Sequence, residues 1–300
     1  MSRPSSAFDY PSFEPFRQKM LEEGLPSLAI SAFEYYYGEL ASGATGLIPE
    51  NDLIPIDELP DAEEFGEDLS ESGRSAVDSV VVITLNGGLG TSMGLNRAKS
   101  LLTIKDGLNF LDVTARQALD GGYPLVLMNS FATDADSLRV LKAYPDLPRG
   151  IPHSFIQHKV PKVVQSDLSP AESPENPELE WCPPGHGDLY LALQTSGMLE
   201  RLLAAGKRYA FVSNSDNLGA VLDPAILGFF VSRQLPFLME VTDRTDADRK
   251  GGHLARLRDT GRLVLRESAQ CPDEDLPHFQ DISRHQFFNC LLYTSPSPRD

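Results

Sequence analysis

An apolar run that leads directly into a cluster of glycines constrains the fold of this chain more than any other stretch. Residues 80–85 are valine, isoleucine, threonine and leucine, a composition typical of a strand buried on both faces. Four glycines then fall within eight positions: Gly87, Gly88, Gly90 and Gly94. Such a cluster lets the main chain turn sharply and present its N–H groups to an anion. With the ammonium group of Lys99, five positions later, the loop is suited to holding a polyphosphate.

Two better-known phosphate-binding loops do not fit the spacing of these glycines. The dinucleotide-binding fingerprint needs G-x-G-x-x-G, and the interval from Gly90 to Gly94 is one residue too long for it. A nicotinamide-dependent oxidoreductase is disfavoured for that reason. The P-loop needs a Gly-Lys pair followed by Ser or Thr, which this segment lacks. A tight turn without a ligand is the remaining alternative, although four glycines exceed what a turn requires.

From residue 80 onward the sequence predicts an α/β fold with a mostly parallel sheet, because short apolar runs alternate with helical patterns. The predicted strands are residues 80–85, 125–129, 154–157, 209–213 and 236–242, and the predicted helices are residues 109–119, 133–144, 187–205 and 224–233. Asp223 before Pro224 predicts a capped helix start. Thr133 with Asp136 suggests a near capping box.

The chain before residue 80 divides into two parts. Apolar residues at helical spacing predict a helical extension over residues 1–49. Residues 50–74 contain ten acidic residues and one arginine, and we interpret residues 50–78 as a solvated acidic linker. A catalytic domain is predicted over residues 79–289, with a proline-rich surface loop at residues 159–184.

Charge and cysteine usage limit the partners and the compartment. The formal net charge of −17 argues against a nucleic-acid partner. A bound triphosphate would have to be met by local cations and Mg²⁺. The three cysteines are scattered and odd in number, which favours a reduced compartment. Neither an apolar signal core nor a run long enough to span a membrane is evident, so we expect a cytoplasmic protein without a membrane partner.

Further polar residues stand at predicted strand ends or beside glycines. They are Gln157 at the carboxyl end of a predicted strand, Gly185 and His186 in the string Trp-Cys-Pro-Pro-Gly-His-Gly-Asp, Asn214 and Asp216 after the strand 209–213, and Gly252 in a Lys-Gly-Gly turn. Ligands in open α/β sheets bind beyond the carboxyl ends of the strands. A carboxylate there is a natural Mg²⁺ ligand facing a triphosphate. Each residue also has a plain structural alternative: a solvated glutamine, a capping histidine, an Asx-turn and a hairpin connection.

The string from Leu85 to Gly94, followed by Ala98-Lys99-Ser100, resembles the signature loop of UDP-glucose pyrophosphorylases. The Pro-Pro-Gly-His-Gly-Asp string resembles the uridine-binding segment of the same family. This resemblance implies a Rossmann-like (GT-A-like) nucleotidyltransferase domain with a mixed, mostly parallel sheet after an N-terminal helical extension. It implies formation of UDP-glucose and pyrophosphate from UTP and glucose 1-phosphate with Mg²⁺. A pyrophosphorylase for a galactose or N-acetylglucosamine phosphate, or a non-catalytic nucleotide-binding fragment, are the alternatives.

The resemblance also implies a role for individual residues. Lys99 and Asp216 would be catalytic, with Asp216 also the metal ligand. The substrate-binding residues would be Leu85, Asn86, Gly87 and Gly88 at the phosphates, Gln157 and Gly185 at the uracil, His186 by the sugar phosphate, and Asn214, Gly252 and Asn289 at the sugar. The oligomeric state is left open. The match stops after Asn289, so we expect residues 290–300 to be a non-native tail and the family's C-terminal β-helix domain to be absent.

Overall fold

The computed structural model describes residues 12–89 and 97–289, which form two compact units. The first consists of residues 12–45 and 156–197, and the second of residues 46–89, 97–155 and 198–289. This division differs from the predicted one, because residues 156–197 cluster with the N-terminal helices rather than with the rest of the predicted catalytic domain. The expectation for residues 290–300 lies outside the described residues.

The helices of the described residues include two within the predicted N-terminal helical extension. They are α1 Glu14–Glu22, α2 Ser27–Ala41, α3 Glu67–Ala76, α4 Phe110–Gly121, α5 Asp134–Leu141, α6 Leu189–Thr195, α7 Met198–Ala204, α8 Pro224–Ser232 and α9 Leu276–Phe279. The predicted helix 187–205 is two helices, α6 and α7, and Gly197 between them has a positive φ. No described helix is long and apolar enough to cross a membrane.

The strands of the described residues include four of the five predicted ones. They are β1 Leu53–Ile54, β2 Val80–Asn86, β3 Thr103–Lys105, β4 Leu108–Asn109, β5 Leu125–Asn129, β6 Ser154–Ile156, β7 Val160–Pro161, β8 Trp181–Cys182, β9 Tyr209–Asn214, β10 Thr242–Asp243, β11 His253–Leu257, β12 Leu263–Arg266 and β13 Phe287–Phe288. The fifth, 236–242, is wrong except at its end. Residues 236–241 have no strand partner among the described residues, and a strand needs one.

A four-stranded sheet in the order β6-β5-β2-β9 carries the core of the second unit. Strand β2 is buried along its length and runs parallel to both β5 and β9. Apolar side chains of β2, β5, α4 and α5 pack together beside it, including those of Val82, Leu111, Leu127 and Leu141. A second, antiparallel sheet has the order β1-β11-β13-β10, with β12 paired to β11.

The capping predictions have different outcomes. The Asp223 side chain accepts hydrogen bonds from the main-chain N–H groups of Ala225 and Ile226, so the predicted cap of α8 is confirmed. Thr133 makes no side-chain cap bond at the start of α5, so that capping box is wrong. Its hydroxyl instead bonds Ser130, in the turn before the helix.

The interpretation of residues 50–78 as a solvated linker is wrong. Strand β1 pairs with β11, and α3 packs against α8. The helices approach so closely that an ideal Cβ on Gly73 would overlap the carbonyl oxygen of Pro224. Glu50, at the start of this stretch, is buried. The stretch is therefore a structured segment of the second unit, although most of its acidic side chains are exposed.

Candidate active site

The carboxyl ends of two neighbouring strands form the centre of the candidate site in the second unit. Strands β2 and β9 are parallel, with Leu85 opposite Asn214. The main-chain N–H of Ser215 donates to the carbonyl of Leu85 at 3.1 Å, which continues the pairing past the end of β9. The glycine loop and Asp216 therefore leave the sheet at the same edge.

The described ends of the glycine loop are held together by main-chain contacts. Leu89 and Ala98 form an antiparallel bridge, and the N–H of Lys99 donates to the carbonyl of Gly88 at 3.1 Å. Residues 90–96, which contain two of the four glycines, lie outside the described residues. Gly88 is exposed, and none of the other described residues lies within 4 Å of the position where its Cβ would stand. The described residues therefore leave the main chain at Gly88 uncovered on that side.

Lys99 and Asp216 form an ion pair at this edge of the sheet. The ammonium Nζ of Lys99 donates to Oδ2 of Asp216, and the side chains are 42% and 29% exposed. Ion pairs this exposed contribute at most about 1 kcal/mol, so the pair can open for a ligand at low cost. The structure brings together the two charges that the resemblance assigned to one nucleotide.

Asn86 uses its side chain inside the protein. Its Nδ2 donates to Oδ1 of Asn129 at 2.7 Å and to the Ser137 hydroxyl at 2.8 Å, and the residue is 1% exposed. These bonds join the end of β2 to β5 and α5. The predicted contact of Asn86 with substrate could therefore come only from its main chain.

Two of the three residues predicted on the sugar side, Gly252 and Asn289, lie together at the ends of strands of the antiparallel sheet. The N–H of Asn289 donates to the carbonyl of Gly252 at 3.3 Å. A Cβ on Gly252 would stand 2.6 Å from a carboxylate oxygen of Glu267, so a larger residue there would require the Glu267 side chain to shift. The glycines of the Lys-Gly-Gly turn precede β11 and are not the hairpin connection, which lies between β11 and β12.

A buried ionic cluster centred on Glu50 holds this part of the sheet, and sequence reasoning missed it. Glu50 accepts hydrogen bonds from Arg266 at 2.7 Å and Arg284 at 2.6 Å, and its Oε1 lies 3.0 Å from Nε2 of His285. Burial raises the pKa of the Glu50 carboxyl, but the bonds from Arg284 and His285 outweigh it and leave the pKa lowered. No local signal marks Glu50, since its partners are more than 200 residues away.

His253 is stacked against His285 inside the same region. The ring centroids are 3.7 Å apart, and neither ring nitrogen of His253 has a partner among the described residues. Burial, followed by the positive charges of His285, Arg266 and Arg244, lowers the pKa of His253 to about 2. The imidazole is therefore neutral in the folded protein at every pH where the protein would be handled.

We expect His253 to make the protein acid-sensitive. Its folded pKa lies below the unfolded value, so the unfolded chain takes up a proton first as the pH falls through about 6.5. The contribution of His253 to the free energy of unfolding should therefore fall by about 1.4 kcal/mol for each pH unit below about 6.5. Urea unfolding at pH 7, 6, 5 and 4 measures the slope. His253→Leu should flatten it, whereas His278→Gln, at an exposed position, should leave it unchanged. Equal slopes in all three proteins would contradict the assignment.

The uridine-side residues belong to the first unit, where a second buried polar group positions them. The Asp188 carboxylate accepts from the main-chain N–H of His158 at 2.7 Å and lies 2.8 Å from its Nδ1, while Nε2 of His158 lies 2.9 Å from the Thr195 hydroxyl. Gln157, 6% exposed, precedes His158, and Asp188 ends the turn that carries Gly185 and His186. The structure thus links these two predicted segments through residues that we had not assigned.

Gly185 has a conformation that favours glycine. Its φ is +102°, a region that side-chain-bearing residues rarely adopt. The main chain can therefore turn into the short helix His186–Asp188 at this point. The only sequence signal for Asp188 was its place in the Gly-His-Gly-Asp string.

Among residues 12–89 and 97–289, no group of three or more His, Cys, Asp or Glu side chains could hold a metal ion. Asp216 alone still fits Mg²⁺, which takes one or two carboxylates and completes its shell with water and substrate phosphates. The donor set is therefore one that would bind the ion together with a nucleotide.

Comparison with solved structures defines the class of fold. A structure described as UDP-glucose phosphorylase from Trypanosoma brucei has a TM-score of 0.82 and 43% identity, over 93% of this chain and 60% of that chain. A variant of UDP-glucose pyrophosphorylase from Leishmania major, solved in complex with UDP-glucose, has a TM-score of 0.83 and 40% identity, over 93% and 62% of the two chains. The architecture is a nucleotidyltransferase fold.

Sequence comparison defines the family. The family model described as UTP–glucose-1-phosphate uridylyltransferase matches residues 36–291. The protein of that description from Solanum tuberosum is 41% identical over 244 residues, which cover 79% of this chain and 50% of the relative. The chain belongs to the UTP–glucose-1-phosphate uridylyltransferase family. It spans about half the length of the curated relatives it matches.

Proposed function

We propose that this chain functions as a uridylyltransferase, or as part of one, that forms UDP-glucose and pyrophosphate from UTP and glucose 1-phosphate. The observation that carries the proposal is the pairing of Lys99 with Asp216 at the shared edge of β2 and β9, in a chain of this family. The Leishmania major relative solved with UDP-glucose supports the choice of nucleotide and sugar.

The reaction needs the substrates to be positioned and the phosphate charge to be neutralised, and it does not need a general base. An oxygen of the sugar phosphate, already ionised at neutral pH, attacks the α-phosphorus of UTP in line as pyrophosphate leaves. In this proposal Lys99 donates to the phosphates and offsets their negative charge. Asp216 would hold Mg²⁺, which when bound neutralises charge on the phosphate oxygens. The open main chain at Gly88 supplies N–H donors beside them.

The remaining site residues keep the roles that the resemblance gives them, as proposals. The main chain of Leu85, Asn86, Gly87 and Gly88 would face the triphosphate. Gln157 and Gly185 would read the uracil, and His186 would lie by the sugar phosphate. Asn214, Gly252 and Asn289 would contact the sugar. We also propose a reduced, cytoplasmic location, supported by the free thiols of Cys182 and Cys271.

The role of Lys99 is tested by titrating the chain with UTP and Mg²⁺ in a calorimeter. Lys99→Ala should weaken UTP binding about 10- to 100-fold, because a hydrogen bond between charged groups contributes about 1.5–3 kcal/mol. Lys105→Ala is the matched control, because Lys105 is an exposed lysine on β3. Equal weakening by both substitutions would mean that Lys99 acts only through overall charge.

The reaction itself is tested by pyrophosphate release from UTP and Mg²⁺ with glucose, galactose or N-acetylglucosamine 1-phosphate. We expect release to be fastest with glucose 1-phosphate. A faster rate with another sugar would change the substrate assignment. UTP binding without release would make the chain a nucleotide-binding part that depends on further polypeptide for turnover.

A further inference from the structure

One buried side chain of the second unit holds the turn that carries Gly252. Arg244 is 7% exposed and directly follows β10. Its Nη2 donates to the main-chain carbonyls of Asp248, Arg249 and Gly251 at 3.1, 2.9 and 3.3 Å. These oxygens all belong to the turn that leads into β11. A single nitrogen atom therefore fixes three successive parts of this turn.

The other terminal nitrogen of the same guanidinium anchors Arg244 beside β13. Nη1 donates to the main-chain carbonyls of Phe279 at 2.9 Å and His285 at 3.4 Å. The main-chain N–H of Arg244 donates to the carbonyl of Gln286 at 2.7 Å, where β10 and β13 lie side by side. Because a guanidinium carries its donors in a rigid planar fork, the contacts of Nη1 determine where Nη2 is presented. The turn is thereby fixed relative to β13.

The carbonyls that Arg244 holds determine the direction of the amides in the turn. No cis peptide bond occurs among the described residues, and in a planar trans peptide group the C=O and the N–H point in opposite directions. The carbonyls of Arg249 and Gly251 point at the guanidinium. The N–H groups of Lys250 and Gly252, which belong to the same two peptide groups, therefore point away from it.

The same turn also contacts the end of β13. An ideal Cβ on Gly251 would stand 2.0 Å from the ring of Phe288, so the main chain of the turn lies directly against that ring. The N–H of Asn289 donates to the carbonyl of Gly252 at 3.3 Å. A shift of the turn would disturb both contacts, and with them both ends that the resemblance assigns to the sugar.

We propose that Arg244 is a positioning residue for sugar recognition, which directs the main-chain amides of residues 250 and 252 towards hydroxyl groups of the hexose. The inference rests on the proposed function, because Gly252 is assigned to the sugar there. It adds a buried cation that touches no substrate and acts only through the carbonyls it holds.

Hydrogen exchange at the amides of Gly251 and Asn289 tests whether Arg244 holds the turn. Arg244→Met should speed the exchange of both amides about tenfold, the effect of losing one or two well-aligned hydrogen bonds. Arg244→Lys should restore most of the protection, because the three donors of an ammonium group can serve the three carbonyls of the turn. Unchanged exchange in Arg244→Met would overturn the role of Arg244, whatever the chain binds.

A stability control separates this effect from general weakening of the fold. Gly228→Ala places a Cβ against the carbonyl oxygen of Leu69, where α3 and α8 meet, and should also lower stability. It should leave the exchange at Gly251 and Asn289 unchanged, since these amides exchange through local opening of the turn. Faster exchange by the same factor in Gly228→Ala and Arg244→Met would overturn the proposal.

The affinity for UDP-glucose relative to UDP, measured by calorimetry, tests the consequence for the sugar. Arg244→Met should weaken UDP-glucose binding about tenfold and UDP binding less than about threefold, whereas Gly228→Ala should keep the ratio of the two affinities. Arg244→Lys should recover most of the ratio. Equal weakening of both ligands by Arg244→Met would make Arg244 a purely structural residue and would overturn the proposal. An unaltered chain that binds the two ligands equally would overturn the sugar assignment of the proposed function, and with it the sugar-side role of Arg244.

The unaltered chain provides a measurement that covers the case in which Arg244→Met does not fold. UDP-glucose should shift the amide resonances of Lys250 and Gly252 and slow the exchange of the Arg244 guanidinium protons, and UDP should do neither. The same changes with both ligands would overturn the proposal.

Discussion

Replacing Glu50 by alanine is expected to lower the free energy of unfolding by about 3–5 kcal/mol, the cost of leaving a buried charge without its partner. Arg266 is fully buried and its guanidinium donates to Glu50 at 2.7 Å. After the substitution Asp275, at 3.3 Å, is the one anionic partner of Arg266 that remains among the described residues. Arg284 and His285 lose the same carboxylate. Urea unfolding at pH 7 measures the loss.

The matched control is Glu58→Ala, which removes an acid from the same stretch at an exposed position. Its effect should stay within about 0.5 kcal/mol. A loss below about 1 kcal/mol for Glu50→Ala would contradict the assigned role. Glu50→Leu combined with Arg266→Met should recover much of the stability, because apolar residues of similar volume often replace a buried ion pair without loss.

Replacing Gly228 by alanine is the second change with a large expected effect. Helices α3 and α8 touch through their glycines, and a Cβ on Gly228 would overlap the carbonyl oxygen of Leu69, a main-chain atom that cannot move aside alone. The helices must separate, and forced separation in a packed core costs about 1–3 kcal/mol, occasionally more. We expect about 3 kcal/mol here, because the obstacle is main chain.

Gly38→Ala is the control for this substitution. Gly38 lies inside α2, and outside that helix no residue of the described part of the chain stands within 4 Å of the position of its Cβ. Alanine there should raise stability by about 0.5–1 kcal/mol, since glycine is the poorer helix former. Thermal unfolding of both variants separates the two effects. Stabilisation by Gly228→Ala would show that α3 and α8 are not closely packed.

The parts of the fold that could be predicted depend on local pattern. Strand 125–129 agrees with the structure at both ends, because an apolar run buried between neighbouring strands needs no further information. Residues 236–241 have a similar composition yet are not a strand, since pairing depends on what lies beside them. Glu50 could not be distinguished from its exposed acidic neighbours, because burial was decided by Arg266, 216 residues away.

The candidate site was predictable in part for the same reason. Lys99 and Asp216 are 117 residues apart in the sequence. Their proximity could be predicted because each follows a strand of a parallel sheet and because the family resemblance assigns both to one nucleotide. Asn86 was predicted from its place in the glycine string, which could not reveal that its amide serves Asn129 and Ser137. Asp188 went unassigned, although its contact with His158 joins two of the predicted segments.

Two main-chain contacts, between Leu89 and Ala98 and between Gly88 and Lys99, hold the main chain of Lys99 beside the end of β2. Neither contact involves residues 90–96. Substitutions among residues 90–96 should therefore leave the main chain of Lys99 in place. The identity of those residues and the presence of the cation are then open to separate selection.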